Sequence, residues 1–160
     1  MSFKPTVLIY DLNNALVDDM AATVGATGLY TTINTYNEAN ALDALHQYNR
    51  CFGLMTNKLT CIITGWNNYK SHRDQILFEL RGIEKRSPFR DPTPFIIVTE
   101  DHMQDLKKIA LDPADGNVAA YLHVDNFKDV ITDILHQIVY EGKASELNAA
   151  AYQEVVQQQE

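Results

Sequence analysis

The chain has 160 residues, 46% hydrophobic and 21% charged, which suits one domain with a core of its own. Thirteen basic against 21 acidic residues leave a formal charge of −8, which excludes nucleic acid and anionic membrane as natural partners and favours a basic protein surface. No run approaches the roughly 20 apolar residues of a membrane span, and the start, MSFKPTVLIYDLNN, lacks signal-peptide features, so a cytoplasmic location is expected.

Residues 6–10 (TVLIY) form a compact apolar run closed by Asp11, as in a strand buried on both faces. Leu16, Met20 and Val24 follow at four-residue steps and predict a helix. Residues 29–36 (LYTTINTY) are β-branched and aromatic, and Asn37 is placed to cap a helix bearing Ala41, Leu42, Leu45 and Tyr48. A loop at 51–58 leads to LTCIIT (59–64), a third strand that opens through Gly65, Trp66 and Asn67. Ile76, Leu77, Leu80 and Ile83 then mark a third helix.

Three prolines in RSPFRDPTP (86–94) impose a loop before FIIVT (95–99), the most continuous apolar run. Asp101 is a candidate cap for a helix carrying Met103, Leu106 and Ile109, ended by the turn residues 112–116. Residues 118–123 (VAAYLH) predict a fifth strand, and Phe127, Val130, Ile131, Ile134, Leu135 and Ile138 a fifth helix. The tail, 142–160, shows Leu147, Ala151 and Val155 at four-residue steps after Ser145; it reads as an amphipathic dimer or linker helix, or as a disordered extension.

Strict alternation of strand and helix predicts an α/β domain over 1–141: a doubly wound five-stranded parallel sheet, its working site at the strands' carboxyl ends. Those ends are Asp11, Gly65, Thr99 and His123. Cys51 and Cys61 fit neither a disulfide framework nor zinc, and no histidine pair has metal-ligand spacing. G-x-G-x-x-G, P-loop and G-x-S-x-G motifs are absent, so no enzyme is expected.

Taken in order, VLIYDLN (7–13), IITGWNN (62–68), FIIVTE (95–100) and AAYLHVDNF (119–127) resemble the strand ends of response-regulator receiver domains, the CheY-like branch of the flavodoxin-like (β/α)5 fold. The resemblance covers about residues 5–141 and implies a two-component, phosphorelay-type signalling module from bacteria. It implies an acidic pair after the first strand to hold a divalent ion, an aspartate after the third to accept a phosphoryl group, and a lysine after the fifth. In this chain Asp11 is followed by Leu12, Gly65 takes the acceptor place, and His123, Val124 and Asp125 stand near the lysine position; the nearest lysine is Lys128. Thr99 and Tyr121 match the hydroxyl and aromatic switch positions.

These departures imply a pseudo-receiver that gave up aspartyl phosphorylation, with no cofactor and an absent or weak magnesium site for which Asp11 is the residual candidate. Asp11 reads equally as a hydrogen-bonding or capping acid, and Thr99 and Tyr121 equally as core-edge residues. Asp18 and Asp19 in the first helix, and Asp74 further on, read as solvated. In the resemblance the partner is a protein or output domain docked on the fourth helix, fifth strand and fifth helix, here 101–141, with a homodimer as a further possibility. The alternative is a small-molecule-sensing flavodoxin-like domain whose ligand fills the space at Gly65 and stacks on Trp66 or Tyr121. The remaining option is a conventional receiver with a shifted register, opposed by the lack of any aspartate between Asp43 and Asp74.

Overall fold

The computed structural model describes residues 4–49, 59–65, 75–86, 91–100 and 104–158. Strands and helices alternate as the apolar pattern requires: β1 (Thr6–Tyr10), α1 (Asn14–Gly25), β2 (Thr31–Thr35), α2 (Glu38–Asn49), β3 (Leu59–Gly65) and α3 (Gln75–Lys85). There follow β4 (Phe95–Thr99), α4 (Gln104–Leu111), β5 (Ala120–His123), α5 (Phe127–Val139) and α6 (Ala144–Gln158). All pairings are parallel, in the order β2-β1-β3-β4-β5. The chain leaves β1 for β2 on one side and returns to β3 on the other, so β1 and β3 flank the switch point where such sheets open a crevice.

Period-two alternation divides the core. Leu8, Tyr10, Ile62, Phe95 and Ile97 face the helices α2, α3 and α4, whereas Val7, Ile9, Cys61, Ile63, Ile96 and Val98 face α1 and α5. Every residue of β1 and β4 is buried, as a central parallel strand demands. On α1 the buried stripe is Val17, Met20 and Val24, with Leu16 partly buried beside it. Two residues of the predicted apolar stripes lie outside the core: Ile109 on α4 and Val130 on α5 are exposed, because one helical face suffices to cover the sheet.

Two predicted strands are shorter than the apolar runs. Leu29 and Tyr30 precede β2, and β5 starts at Ala120 because the Val118 N–H is already spent on the Ala110 carbonyl at the end of α4. Gly116 makes that ending possible: a Cβ there would stand 2.5 Å from the Ala110 oxygen and 2.8 Å from its Cα. At the amino ends of the strands, Arg81 lies buried over the Phe95 ring at 5.0 Å. It donates to the Gly116 and Asn117 carbonyls and to Glu84, whose Oε1 in turn accepts the Thr93 N–H at 2.9 Å. Burial pulls the Arg81 guanidinium below its ordinary pKa, and Glu84 opposes that shift.

The tail is the helix α6, packed on α4 and on the outer edge of β5. Gly142, with φ +65°, turns the chain into it. Val155 is buried in the α2–α4 side of the core, with Ala151 and Tyr152 against the same cluster.

Candidate functional site

Asp11 and Gly65 meet at the switch point. Tyr10 pairs with Thr64, so one further step along each strand brings the two opposite one another, on the α1 and α5 face. Asp11 is buried, and its Oδ1 accepts the Asn13 N–H at 2.8 Å. Asn13 is the cap of α1, its Oδ1 accepting the Leu16 N–H at 3.2 Å. Asp11 therefore holds the turn before the helix and does not cap it, which refines the capping expectation.

The space beside Gly65 is already filled. A Cβ built there would fall on Asp11 Oδ2, with Asp11 Cγ at 2.5 Å and its Cβ at 3.3 Å. Gly65 is absent from the described residues at positive φ, so room for the Asp11 carboxylate, rather than backbone conformation, accounts for a glycine at the position. A hollow of about 340 Å³ lies alongside, lined by Asp11, Leu12, Asn13, Leu16, Val98 and Glu100.

The described residues at the switch point do not make up the oxygen-ligand set that a complete receiver site implies for a divalent ion. Such an ion wants several hard oxygen ligands. Leu12 is an exposed hydrocarbon, Gly65 offers no side chain, and one oxygen of Asp11 is committed to the Asn13 N–H. Among the described residues no group of three or more His, Cys, Asp or Glu side chains is arranged around a common point.

Thr99 ends β4 buried, and alternation puts it on the same face as Phe95 and Ile97, opposite to that of Asp11 and Gly65. Tyr121 is half-buried on that face, opposite Ile97, while Thr99 itself pairs with His123. The His123 ring closes the top of β5: Nδ1 accepts the Asp125 N–H at 3.1 Å, and Nε2 lies 3.3 Å from the Glu100 carbonyl. The Asp125 carboxylate lies 3.2 Å from Nδ1. Lys128, the nearest lysine in the sequence, pairs with Asp19 of α1 at 2.9 Å. Asp18 and Asp19 lie at the surface as expected and carry surface partners, Asp18 accepting from the Tyr36 hydroxyl at 2.6 Å. Trp66, Asn67, Asp74, Asp101 and Met103 lie outside the described residues.

Sequence reasoning brought Asp11, Gly65, Thr99 and His123 to one end of the sheet, where the structure has them, while Tyr121 lies within β5 opposite Ile97. It missed Glu100, Asn13 and Asn148. An Asx residue just before an apolar-periodic run signals the first two positions' neighbourhood; an amide inside the tail's apolar stripe signals the third.

No protein-family model matches the sequence, and no curated protein matches it. Solved structures do. The signal receiver domain of an HD domain-containing protein from Pseudomonas fluorescens Pf-5 superposes with a TM-score of 0.65 at 16% identity, over 86% of this chain and 96% of that one. The chain has the receiver-domain fold. A response regulator receiver domain from Clostridium thermocellum gives 0.61 at 18% identity, covering 87% and 97% of the two chains. The chemotaxis response regulator CheY4 of Vibrio cholerae gives 0.60 at 16%, covering 84% and 98%. The receiver fold so shared comprises the five parallel strands and their crossover helices; among the described residues no helix is long and apolar enough to cross a membrane.

Proposed function

We propose that the chain is a pseudo-receiver: a cytoplasmic module of bacterial two-component signalling that works by protein docking and takes no phosphoryl group. The observation that carries this reading is the shared space at the switch point. Phosphoryl transfer to a receiver needs a carboxylate nucleophile at the end of β3, neighbouring acids to fix an ion, and a cation for the acquired oxygens. Here position 65 has no side chain and the space beside it holds the Asp11 carboxylate, position 12 is leucine, and a histidine, His123, stands near the cation's place. The scaffold that would present a docking face is nevertheless complete, with α4, β5 and α5 inside 101–141. Its ligand is another protein or an output domain, and it has no catalytic step of its own.

Incubation of the intact chain with a small acyl- or amido-phosphate donor and magnesium, followed by intact mass measurement, tests the proposal. The expected result is an unchanged mass. A phosphoryl adduct labile to hydroxylamine refutes it, since that is the behaviour of an acyl phosphate. The small-molecule alternative began from an open space at Gly65; that space holds the Asp11 carboxylate, and the neighbouring hollow carries two acidic walls, Asp11 and Glu100.

A further inference from the structure

We infer that the cavity at the amino ends of the strands is a binding site for a small apolar monocarboxylic acid, at the opposite end of the sheet from Asp11 and Gly65. The cavity has a cause in the sheet itself. β3 starts lower than β4, since Leu59, Thr60 and Cys61 precede the first pair between the two strands, Ile62 with Phe95. Pro92 and Pro94, which lead into β4, carry no N–H with which to extend that pairing. Thr60 is also the unmatched residue of a bulge, because Leu59 pairs with Thr6 and Cys61 already with Val7. The notch left at this edge measures about 530 Å³, within the range of small-molecule sites, roughly 300–1,000 Å³.

Its walls divide by chemistry. Leu59, Pro94, Ala119, Ile138 and Val139 make one side apolar. Arg81 lines the cavity while only 6% exposed, and its donors are unevenly spent. Nε–H goes to the Gly116 carbonyl at 2.9 Å, the Nη1 pair to the Glu84 carboxylate at 2.8 and 3.2 Å, and one Nη2–H to the Asn117 carbonyl at 3.2 Å. The second Nη2–H has no acceptor among the described residues, and a buried guanidinium donor calls for one. α6 brings its positive end to the same cavity. Its first helical bond runs from the Leu147 N–H to the Lys143 carbonyl at 2.9 Å, so the N–H groups of Ala144 and Ser145, both lining residues, have no acceptor within the helix.

The charges narrow the ligand. Glu84 neutralises Arg81, and exposed Asp91 adds a negative charge to the lining, which disfavours phosphate and dicarboxylates. A single carboxylate suits the Arg81 donor and the α6 terminus, and a hydrocarbon body suits the apolar side. The walls are also held in advance. Asn148 Nδ2 donates to the Leu111 and Val118 carbonyls at 2.8 and 2.6 Å, and Val155 is buried in the core, so α6 is fixed with its first turn at the cavity.

Titration of the isotope-labelled full chain with hexanoate, its neutral counterpart hexanamide and inorganic phosphate tests this by amide chemical shifts. Hexanoate at millimolar concentration is expected to shift residues 59–60, 117–119 and 138–145, to leave Asp11 and Glu100 in place, and to bind at least tenfold more tightly than hexanamide or phosphate. Ser145→Trp sets a bulky ring at an exposed lining position; it is expected to keep the urea midpoint and weaken hexanoate at least tenfold. Arg81→Lys keeps the charge without the planar fork and is expected to weaken hexanoate as much. Absence of shifts with hexanoate overturns the inference, as do shifts centred on Asp11 and Gly65. Equal binding of hexanamide or phosphate overturns the carboxylate assignment, and unchanged affinity in Ser145→Trp overturns the placement. Should Arg81→Lys fail to fold, the hexanamide comparison and Ser145→Trp still decide the matter.

Discussion

Adding one methyl group at position 65 separates two reasons for a glycine there. If the backbone required it, Gly65→Ala would be harmful in any background; if the Asp11 carboxylate requires it, the harm vanishes once that carboxylate is gone. The added Cβ would lie 2.5 Å from Asp11 Cγ, so Asp11 must rotate away from the Asn13 N–H. Overfilling costs about 1–3 kcal/mol, and loss of a hydrogen bond to a charged group about 1.5–3 kcal/mol. Partial relaxation leaves a net loss of about 2–4 kcal/mol for Gly65→Ala alone. In an Asp11→Ala background the same methyl relieves the flexibility of glycine in a strand and gains about 0.5–1 kcal/mol. The expected coupling is therefore about 3 kcal/mol, read from urea unfolding of the two single variants, the double variant and the wild type, with unchanged slopes. A coupling below about 0.5 kcal/mol would refute the shared-space reasoning.

Other expectations follow from the same geometry. Gly65→Asp alone lowers the urea midpoint by at least as much as Gly65→Ala, and its intact mass stays unchanged after phosphodonor and magnesium. Gly116→Ala must push a Cβ against the Ala110 backbone, within 2.5 Å of its oxygen, and loses about 2–4 kcal/mol in the same unfolding assay. Arg81→Met strands Glu84 and the Gly116 and Asn117 carbonyls, a loss of about 3–5 kcal/mol. Burial pushes the Cys61 thiol from 9.0 up to about 12. The unfolded chain therefore sheds this proton first as pH rises, and stability falls through the window from 9 to 12 by up to about 1.4 kcal/mol per pH unit. Cys61→Val removes that term, so its stability declines less steeply between pH 9 and 11.

The order of elements was legible because buried parallel strands are written as unbroken apolar runs: 6–10 and 95–99 are strands to the residue. The strand ends blurred wherever a backbone N–H was claimed by something distant in sequence, as with Val118 and the end of α4. Asn37 reads as a cap and acts as one, its Oδ1 accepting the Asn40 N–H. Gly65 was visible as a residue without a side chain at the end of the third strand, but the occupant of its space was not, because that depends on the Asp11 rotamer and on the pairing of Tyr10 with Thr64. The helical reading of the tail followed from Leu147, Ala151 and Val155, whereas its anchorage depends on Asn148, which as a bare letter looks like a helix weakener.

The crowding between Asp11 and Gly65 also shapes the routes by which such a chain could change. An aspartate placed at 65 while Asp11 keeps its present rotamer would thrust two negative oxygens into one volume, an overfilled and self-repelling arrangement. Positions 11 and 65 are therefore tied to one another: a side chain added at 65 calls for the Asp11 carboxylate to swing aside or be replaced, so a change at one end of the switch point is felt first at the other.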